Sequence, residues 1–474
     1  MKKIILAGVL MFLATCQVLF AQHHDIPEKA EMYKGRKTDS TDTSLLMSAF
    51  KRGRVNGHFR YFFMATDNKD QLTDYYANAA GGGIRYETAK FHGLQFSLSG
   101  FYIFNIGSSD LTLADSTTGQ FNRYETGLFD VQDPANKKDI DRLEEFYLKY
   151  NFKKSNVVAG RQTINTPFIN LQDGRMRPTG VEGILLEINE IRNTKIEGGW
   201  IYAFSPRSTT KWFNPGESIG IYPTGLNLDG SKSAYGNAMD SKSAALLGIT
   251  TSINNLKLQG WNLYVDNIFN TALLQGDFQI PLADKSSLYA SAQLIRQDAV
   301  NNGGHEDISR SYFEKGAKAI TFGTRAGWKN QQWDANINYN RITRHGRYLM
   351  PREWGRDPFF TFLPQERNEG FGDVQAVMAK VNYKIPRSGI KTSLAAGYYV
   401  LPDVKNFRLN KYGLPSYAQL NFDTRYVFSG VLKGIEAQFL VAGKINTGES
   451  YNNYNFEFNK VDMVQYNFVL NYHF

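Results

Sequence analysis

The sequence contains a single cysteine, Cys16, and it lies near the amino terminus. Lys2 and Lys3, followed by an apolar stretch from Ile4 to Leu13, have the form of a secretory signal peptide, with cleavage expected after Ala21. Removing residues 1–21 would therefore leave a mature chain without disulfides, thiol chemistry or a cysteine metal site. An alternative is a lipoprotein in which Cys16 is modified, although Thr15 is a poor residue before such a cysteine.

Beyond the signal there is no apolar run of 18 residues, which excludes a membrane-spanning helix there. No basic tract points to nucleic acid as a partner, although the formal net charge is +9. The seven histidines lack metal-ligand spacing, and no nucleophile-elbow or phosphate-loop pattern occurs. We therefore expect no catalytic residue, no metal and no cofactor.

Aromatic residues and glycine are abundant, and apolar residues alternate strictly with polar ones in many segments. The last segment alternates Val464, Tyr466, Phe468, Leu470 and Tyr472 with polar residues and ends on Phe474. A period of two is typical of a β-strand with one apolar face and one polar face. About 18 such segments recur, centred on Phe59, Tyr86, Leu98, Leu148, Gly160, Leu185, Trp200, Gly248, Gly260, Leu274, Ala292, Gly323, Ile337, Ala379, Leu394, Phe422, Phe439 and Phe468.

The connections between these segments alternate between short and long, the long ones including residues 105–141, 205–242 and 343–373. This pattern predicts an all-β fold: a transmembrane antiparallel barrel of about 18 strands with short periplasmic turns and long extracellular loops. Residues 22–53 are then a periplasmic tail, too short for a plug domain, and residues 54–474 form the barrel. Phe474 would engage the barrel-assembly machinery, and the outer face would contact outer-membrane lipid and lipopolysaccharide.

A barrel of this width encloses a water-filled lumen, so something must narrow it. The segment 165–180 mixes apolar anchors with Asp173, Arg175 and Arg177, and we expect it to fold inward as a constriction loop. Strand parity also points Arg161, Arg325, Lys380, Arg425 and Lys444 into the lumen. Such cations would favour passage of anions, although Glu145, Asp334, Asp423 and Glu436 share that face and neutralise part of the charge.

Several motifs resemble the OprD-type outer-membrane porin family: Val158-Ala159-Gly160-Arg161-Gln162, Asp173-Gly174-Arg175-Met176-Arg177-Pro178, Asn421 to Phe428 and the entry Ala49 to Arg60. The resemblance implies an 18-strand barrel, monomeric or loosely trimeric, whose third and seventh loops pinch the pore while basic residues guide carboxylate-bearing solutes. Arg161, Arg175 and Arg425 match motif positions. The basic residues of 343–373 have no motif match, and the late strand with Glu436, Gln438 and Leu440 departs from the family by carrying fewer cations.

We therefore expect a porin in the outer membrane of a Gram-negative bacterium, not an enzyme, through which small water-soluble, carboxylate-bearing solutes diffuse passively. The alternatives are a barrel with a lipid-hydrolase activity or one with a structural or adhesive role. An energised receptor is disfavoured because no plug precedes the first strand. The sequence leaves open which solute passes, the oligomeric state, whether loops gate, and whether 343–373 enters the pore.

Overall fold

The computed structural model describes residues 42–171, 175–365 and 368–474. The predicted signal peptide and most of the predicted periplasmic tail lie outside these ranges. Within them, no helix is both long enough and apolar enough to cross a membrane.

Eighteen long antiparallel strands dominate the described residues. They are β1 Arg54–Asp67, β2 Tyr75–Glu87, β3 Leu94–Ser108, β4 Ile140–Phe152, β5 Ser155–Gln162, β6 Gly180–Ile188, β7 Thr194–Ser205, β8 Ala244–Ile253, β9 Leu256–Val265, β10 Phe269–Pro281, β11 Ser287–Ala299, β12 Lys318–Lys329, β13 Trp333–Ile342, β14 Val374–Lys384, β15 Ile390–Val400, β16 Tyr417–Val427, β17 Ile435–Asn446 and β18 Met463–His473. The described residues also form the helices α1 Leu46–Lys51 and α2 Pro215–Ser218 and the two-residue strands Asp42–Thr43 and Lys90–Phe91. Short 3₁₀ turns lie at Thr126–Leu128, Ile308–Arg310, Arg352–Trp354, Gly430–Leu432 and Tyr454–Phe456.

Each long strand pairs with its neighbours in sequence, and β1 pairs with β18 to close the sheet. Phe59 lies opposite Tyr472, and Phe63 lies opposite Phe468 across this seam. The predicted barrel is therefore confirmed, and every predicted segment centre falls in its own strand. A closed barrel satisfies the hydrogen-bonding groups of all strand edges, which spanning a membrane with strands requires.

One end of the barrel carries the long connections, numbered L1 to L9 in chain order, and the other carries the short turns and the described amino-terminal residues. The connections used below are L2 (109–139), L3 (163–179), L4 (206–243), L6 (300–317), L7 (343–373) and L8 (401–416). L5 (266–268) departs from the predicted alternation, because it is as short as the turns at the opposite end.

The outer face is apolar along most strands, as the alternation predicts. Leu274, Leu294, Ile337, Leu394 and Leu420 are among the exposed residues of this band. Their exposure fits a surface covered by lipid acyl chains.

The inner face changes character along the barrel axis. Near the short turns it carries polar side chains such as Gln259 and Asn336, whereas near the long loops it carries buried apolar residues such as Leu263, Val265 and Phe269. These residues belong to a hydrophobic cluster that also includes Phe168 of L3 and Trp354 of L7. The loops therefore pack inside the upper part of the barrel, where strands become apolar on both faces.

Candidate pore constriction

L7 enters the lumen, because inward-facing wall side chains donate hydrogen bonds to its backbone carbonyls. These bonds run from Gln297 Nε2 to Leu349 O (2.7 Å), Gln293 Nε2 to Pro358 O (3.0 Å), Tyr399 Oη to Thr361 O (2.7 Å), Gln419 Nε2 to Pro364 O (2.6 Å) and Lys444 Nζ to Gln365 O (2.9 Å). The donors come from β11, β15, β16 and β17. L7 therefore follows the inner wall around a large arc of the barrel, which answers the question that the sequence left open.

Trp354 anchors L7 at the long-loop end. Its side chain is fully buried, and its ring stacks on Phe204 with centroids 4.2 Å apart and an interplanar angle of 5°. Its indole Nε1 donates a hydrogen bond to Ser218 Oγ at 2.9 Å, which satisfies the only polar atom of the side chain. This contact ties L7 to the last residue of α2 in L4.

L3 packs directly against L7. Asn170 N donates to Trp354 O at 3.0 Å, Asn170 Nδ2 donates to Arg356 O at 3.0 Å, and Arg356 N donates to Asn170 Oδ1 at 3.1 Å. Gly355 between them has a φ of 141°, and a Cβ there would lie 2.5 Å from Asn170 Oδ1. Only glycine fits this crossing, so the two loops form one unit inside the barrel.

Arg175 of L3 is buried and points to L2 and the wall. Its Nη1 donates to Tyr124 O and lies 3.5 Å from Met64 Sδ, while Arg60 of β1 donates to its carbonyl oxygen. Arg175 therefore braces L3 against L2 and β1.

Arg177 forms an ion pair with Glu144 of β4, and its guanidinium lies over the Phe101 ring at 3.9 Å. Arg142 also contacts Glu144, at 3.2 Å. A carboxylate shared by these two arginines offsets part of their charge toward a passing anion. Farther along L3, Thr179 Oγ1 donates to Glu353 O of L7 at 2.6 Å.

Asp173, the acidic residue predicted at the constriction, lies outside the described residues, as do Gln172, Gly174, Glu366 and Arg367. The described parts of L3 and L7 on either side of these residues still fix where both loops enter the lumen.

The wall cations have different surroundings. Arg325 of β12 is buried, donates to Asn338 Oδ1 at 2.6 Å and lies over the Phe360 ring of L7 at 4.6 Å. Lys380 of β14 lies in the inward phase and is half-buried. Near the short turns, Arg425 of β16 contacts Asp423 at 3.2 Å, which offsets its charge.

The strand register contradicts the inward orientation predicted for Arg161. Arg161 lies directly opposite Phe146, which is exposed on the outer face, and opposite Glu182, with which it forms an ion pair at 3.0 Å. Residues directly opposite in an antiparallel pair share a face, so Arg161 lies on the outer face at the long-loop end. The predicted orientation of Arg161 was wrong because residues 157–161 do not alternate clearly between polar and apolar side chains. The sequence of this segment therefore does not show which side chains face the lumen.

Sequence reasoning missed the neutral wall residues that hold L7. The sequence places glutamine, asparagine and tyrosine on the inner face, but it does not show whether their side chains bind water or a loop. It also missed Arg60, which bridges Arg175 O and Asn471 Oδ1, the latter at 2.8 Å. The polar phase of β1 could have revealed Arg60. Among the described residues, no group of three or more His, Cys, Asp or Glu side chains could hold a metal ion.

Comparison with known proteins agrees with this geometry. The family model described as outer membrane porin, OprD family, matches residues 52–350. Solved structures with the same fold include Pseudomonas aeruginosa OccK9 (OpdG), with 15% identity, a TM-score of 0.68 and coverage of 90% of this chain and 99% of that one. Acinetobacter baumannii OccAB3 has 15% identity, a TM-score of 0.69 and coverage of 89% and 99%.

Pseudomonas aeruginosa OpdK, crystallised with vanillate, has 12% identity, a TM-score of 0.68 and coverage of 90% and 99%. No curated protein matched the sequence. The predicted family and the predicted location in the Gram-negative outer membrane are confirmed. This chain belongs to the OprD family of outer-membrane porins.

Proposed function

We propose that this protein is a porin through which small water-soluble solutes diffuse passively, with L3 and L7 together setting the bore. The observation that carries the proposal is the attachment of L7 along the inner wall, with L3 locked to it at Asn170 and Gly355. Two loops fixed inside a wide barrel would narrow the lumen that solutes cross. The family match also indicates a channel rather than an enzyme.

A preference for carboxylate-bearing solutes is the finer part of the proposal. Lys444 Nζ donates to Gln365 O of L7 at 2.9 Å, and the Arg325 guanidinium lies over the Phe360 ring of the same loop. Positive charge in a narrow channel lowers the energy of a passing anion and raises that of a cation. The aromatic carboxylate vanillate in the OpdK crystal structure supports this solute class for the family. Arg177 and Arg425 lie against Glu144 and Asp423, which offset part of their charge.

Ion selectivity in planar lipid bilayers tests this proposal. Purified protein should conduct in discrete steps, and Lys444→Met should shift the reversal potential in a KCl gradient toward cation selectivity. Arg296→Gln is a matched control, because Arg296 is exposed on the outer face beside Asp298. This substitution also removes one positive charge, but at a site away from the lumen. A silent bilayer would refute the porin proposal, and equal shifts for the two variants would refute the role of Lys444.

We also propose that Phe474 serves in assembly and that lipopolysaccharide surrounds the long-loop end of a monomer or a loose trimer. The assembly role is supported by the position of Phe474, which directly follows β18 at the short-turn end and has an exposed side chain.

A further inference from the structure

A short apolar surface lies at the short-turn end, where residues 45–50 precede the first strand. Leu45, Leu46, Met47 and Phe50 are 67%, 56%, 66% and 45% exposed, whereas Ala49 is buried. The four exposed residues Leu45, Leu46, Met47 and Phe50 form what we call the rim surface, and all of them except Leu45 belong to α1. Exposing several large apolar side chains on so short a segment is costly in water, so the surface needs an explanation.

The rim surface is held firmly against the barrel. Ala89 N donates to Ala49 O at 3.1 Å, and Tyr86 Oη donates to Phe50 O at 2.7 Å. Before the helix, Asp42–Thr43 pairs in parallel with Lys90–Phe91 of the first short turn. The end of the predicted periplasmic tail is therefore a docked element of the barrel rim.

The position of Tyr86 shows which side of the wall the helix occupies. Tyr86 lies opposite Val55 and Leu98, which are 64% and 40% exposed on the outer face. Since Tyr86 shares their face and its hydroxyl reaches Phe50 O, the end of α1 lies over the outer wall. The rim surface is therefore continuous with the apolar band that lipid covers.

We propose that α1 lies in the inner leaflet of the outer membrane, parallel to the membrane plane, with the rim surface among phospholipid acyl chains. Both termini of a barrel with an even strand number lie in the periplasm, which places this end at the inner leaflet. Lys51 and Arg52, both exposed at the end of α1, are positioned to contact lipid phosphates. A helix of six residues would bind lipid weakly alone, but attachment to the barrel holds it at the interface.

Nitroxide scanning of the full-length protein in phospholipid vesicles tests this proposal. Met47→Cys carries the label on the rim surface, and Arg52→Cys carries it on the polar side. Leu274→Cys is the lipid-facing reference, Phe121→Cys in L2 is the reference outside the membrane, and the unsubstituted protein measures any label on Cys16. Collision with dissolved oxygen, relative to a water-soluble nickel complex, reports the depth of each label.

The label at position 47 should show an oxygen-to-nickel ratio several-fold higher than at position 121 and closer to that at position 274, with position 52 between them. A ratio at position 47 equal to that at position 121 would show the rim surface in water, as a site for a periplasmic partner would be, and would overturn the proposal. Heat-modifiable migration on gels verifies that each variant is folded, so a misfolded barrel cannot imitate this outcome.

Discussion

The cations of the lumen show that facing inward and acting on a solute are separate properties of a residue. Arg177 and Arg425 were both predicted to act on a passing solute, yet Glu144 lies against Arg177 and Asp423 lies against Arg425. Arg425 and Asp423 lie two residues apart on one face of the same strand, so strand parity already places them together. Arg177 of L3 and Glu144 of β4 are 33 residues apart, and only the path of L3 brings them into contact. The sequence therefore identified the candidate cations, but it could not show which of them the loops place beside a carboxylate.

Lys411 of L8 is a buried cation outside the strands, and it lies among tyrosine rings. Its Nζ donates to Tyr235 Oη of L4 at 2.9 Å and lies 4.6 Å from the centroids of both Tyr235 and Tyr312. Burial lowers the pKa of Lys411 to about 7, while Glu369 acts in the opposite direction. This residue joins L4, L6 and L8 above the lumen.

The stability of this loop cluster should rise with pH between about 7 and the ordinary lysine value. In that window the released loop binds the proton and the packed loop does not, so the free energy of release increases by up to about 1.4 kcal/mol per pH unit. Limited proteolysis of L8 should therefore slow from pH 7 to pH 9. Lys411→Met should abolish the pH dependence, and an unchanged dependence in that variant would assign it to another group.

At the scale of elements, the strands were predictable and the loop paths were not. The alternation located every long strand, because lipid outside and water inside impose a period of two. It weakened near the long loops, where Leu263, Val265 and Phe269 face inward against L3 and L7. The path of L7 could not be read from sequence, because its anchors on the wall are backbone carbonyls, which every residue has.

Releasing one anchor should make L7 move. Gln419 and Asn421 both donate to Pro364 O, at 2.6 and 3.1 Å, and each bond contributes about 1 kcal/mol. The double variant Gln419→Leu, Asn421→Leu should therefore shift the balance between attached and released L7 by roughly 30-fold. Single-channel records should show brief steps of higher conductance.

Gln438→Leu is the control for this variant, because Gln438 lies on the neighbouring strand and donates to Asp423 instead of L7. Current noise that rises equally in the control would indicate general loosening of the wall and would exclude a specific role for the Pro364 contact.

At the scale of the whole molecule, the barrel depends on the seam between its first and last strands. Phe474 completes it, since Gly57 N donates to Phe474 O at 2.9 Å and Phe474 N donates to Gly57 O at 3.1 Å. The strand count, the family and the location followed from the sequence because closure repeats one pattern many times. The position of α1 at the rim did not follow, because it depends on the contact of Tyr86 with Phe50 O.

Deleting Phe474 should separate stability from assembly. Loss of two backbone hydrogen bonds should lower the free energy of unfolding by about 1–3 kcal/mol for protein refolded in detergent. If Phe474 also serves the assembly machinery, the amount of barrel in the outer membrane of cells should fall much further than this loss explains. Phe474→Trp keeps the backbone hydrogen bonds of the seam and the terminal aromatic ring, so it should restore both the free energy of unfolding and the amount of barrel in the outer membrane. A fall in the amount of barrel in cells that is no larger than the loss of stability explains would argue against an assembly role.

The attachment of L7 through its main chain has an implication for divergence within such channels. Gln293, Tyr399 and Gln419 recognise carbonyl oxygens, so replacing a loop side chain leaves those anchors in place. The fold of the barrel therefore does not depend on the side chains of L7 at these anchors. Substitutions in L7 can change which molecules enter a cell, while the barrel still folds in the same way.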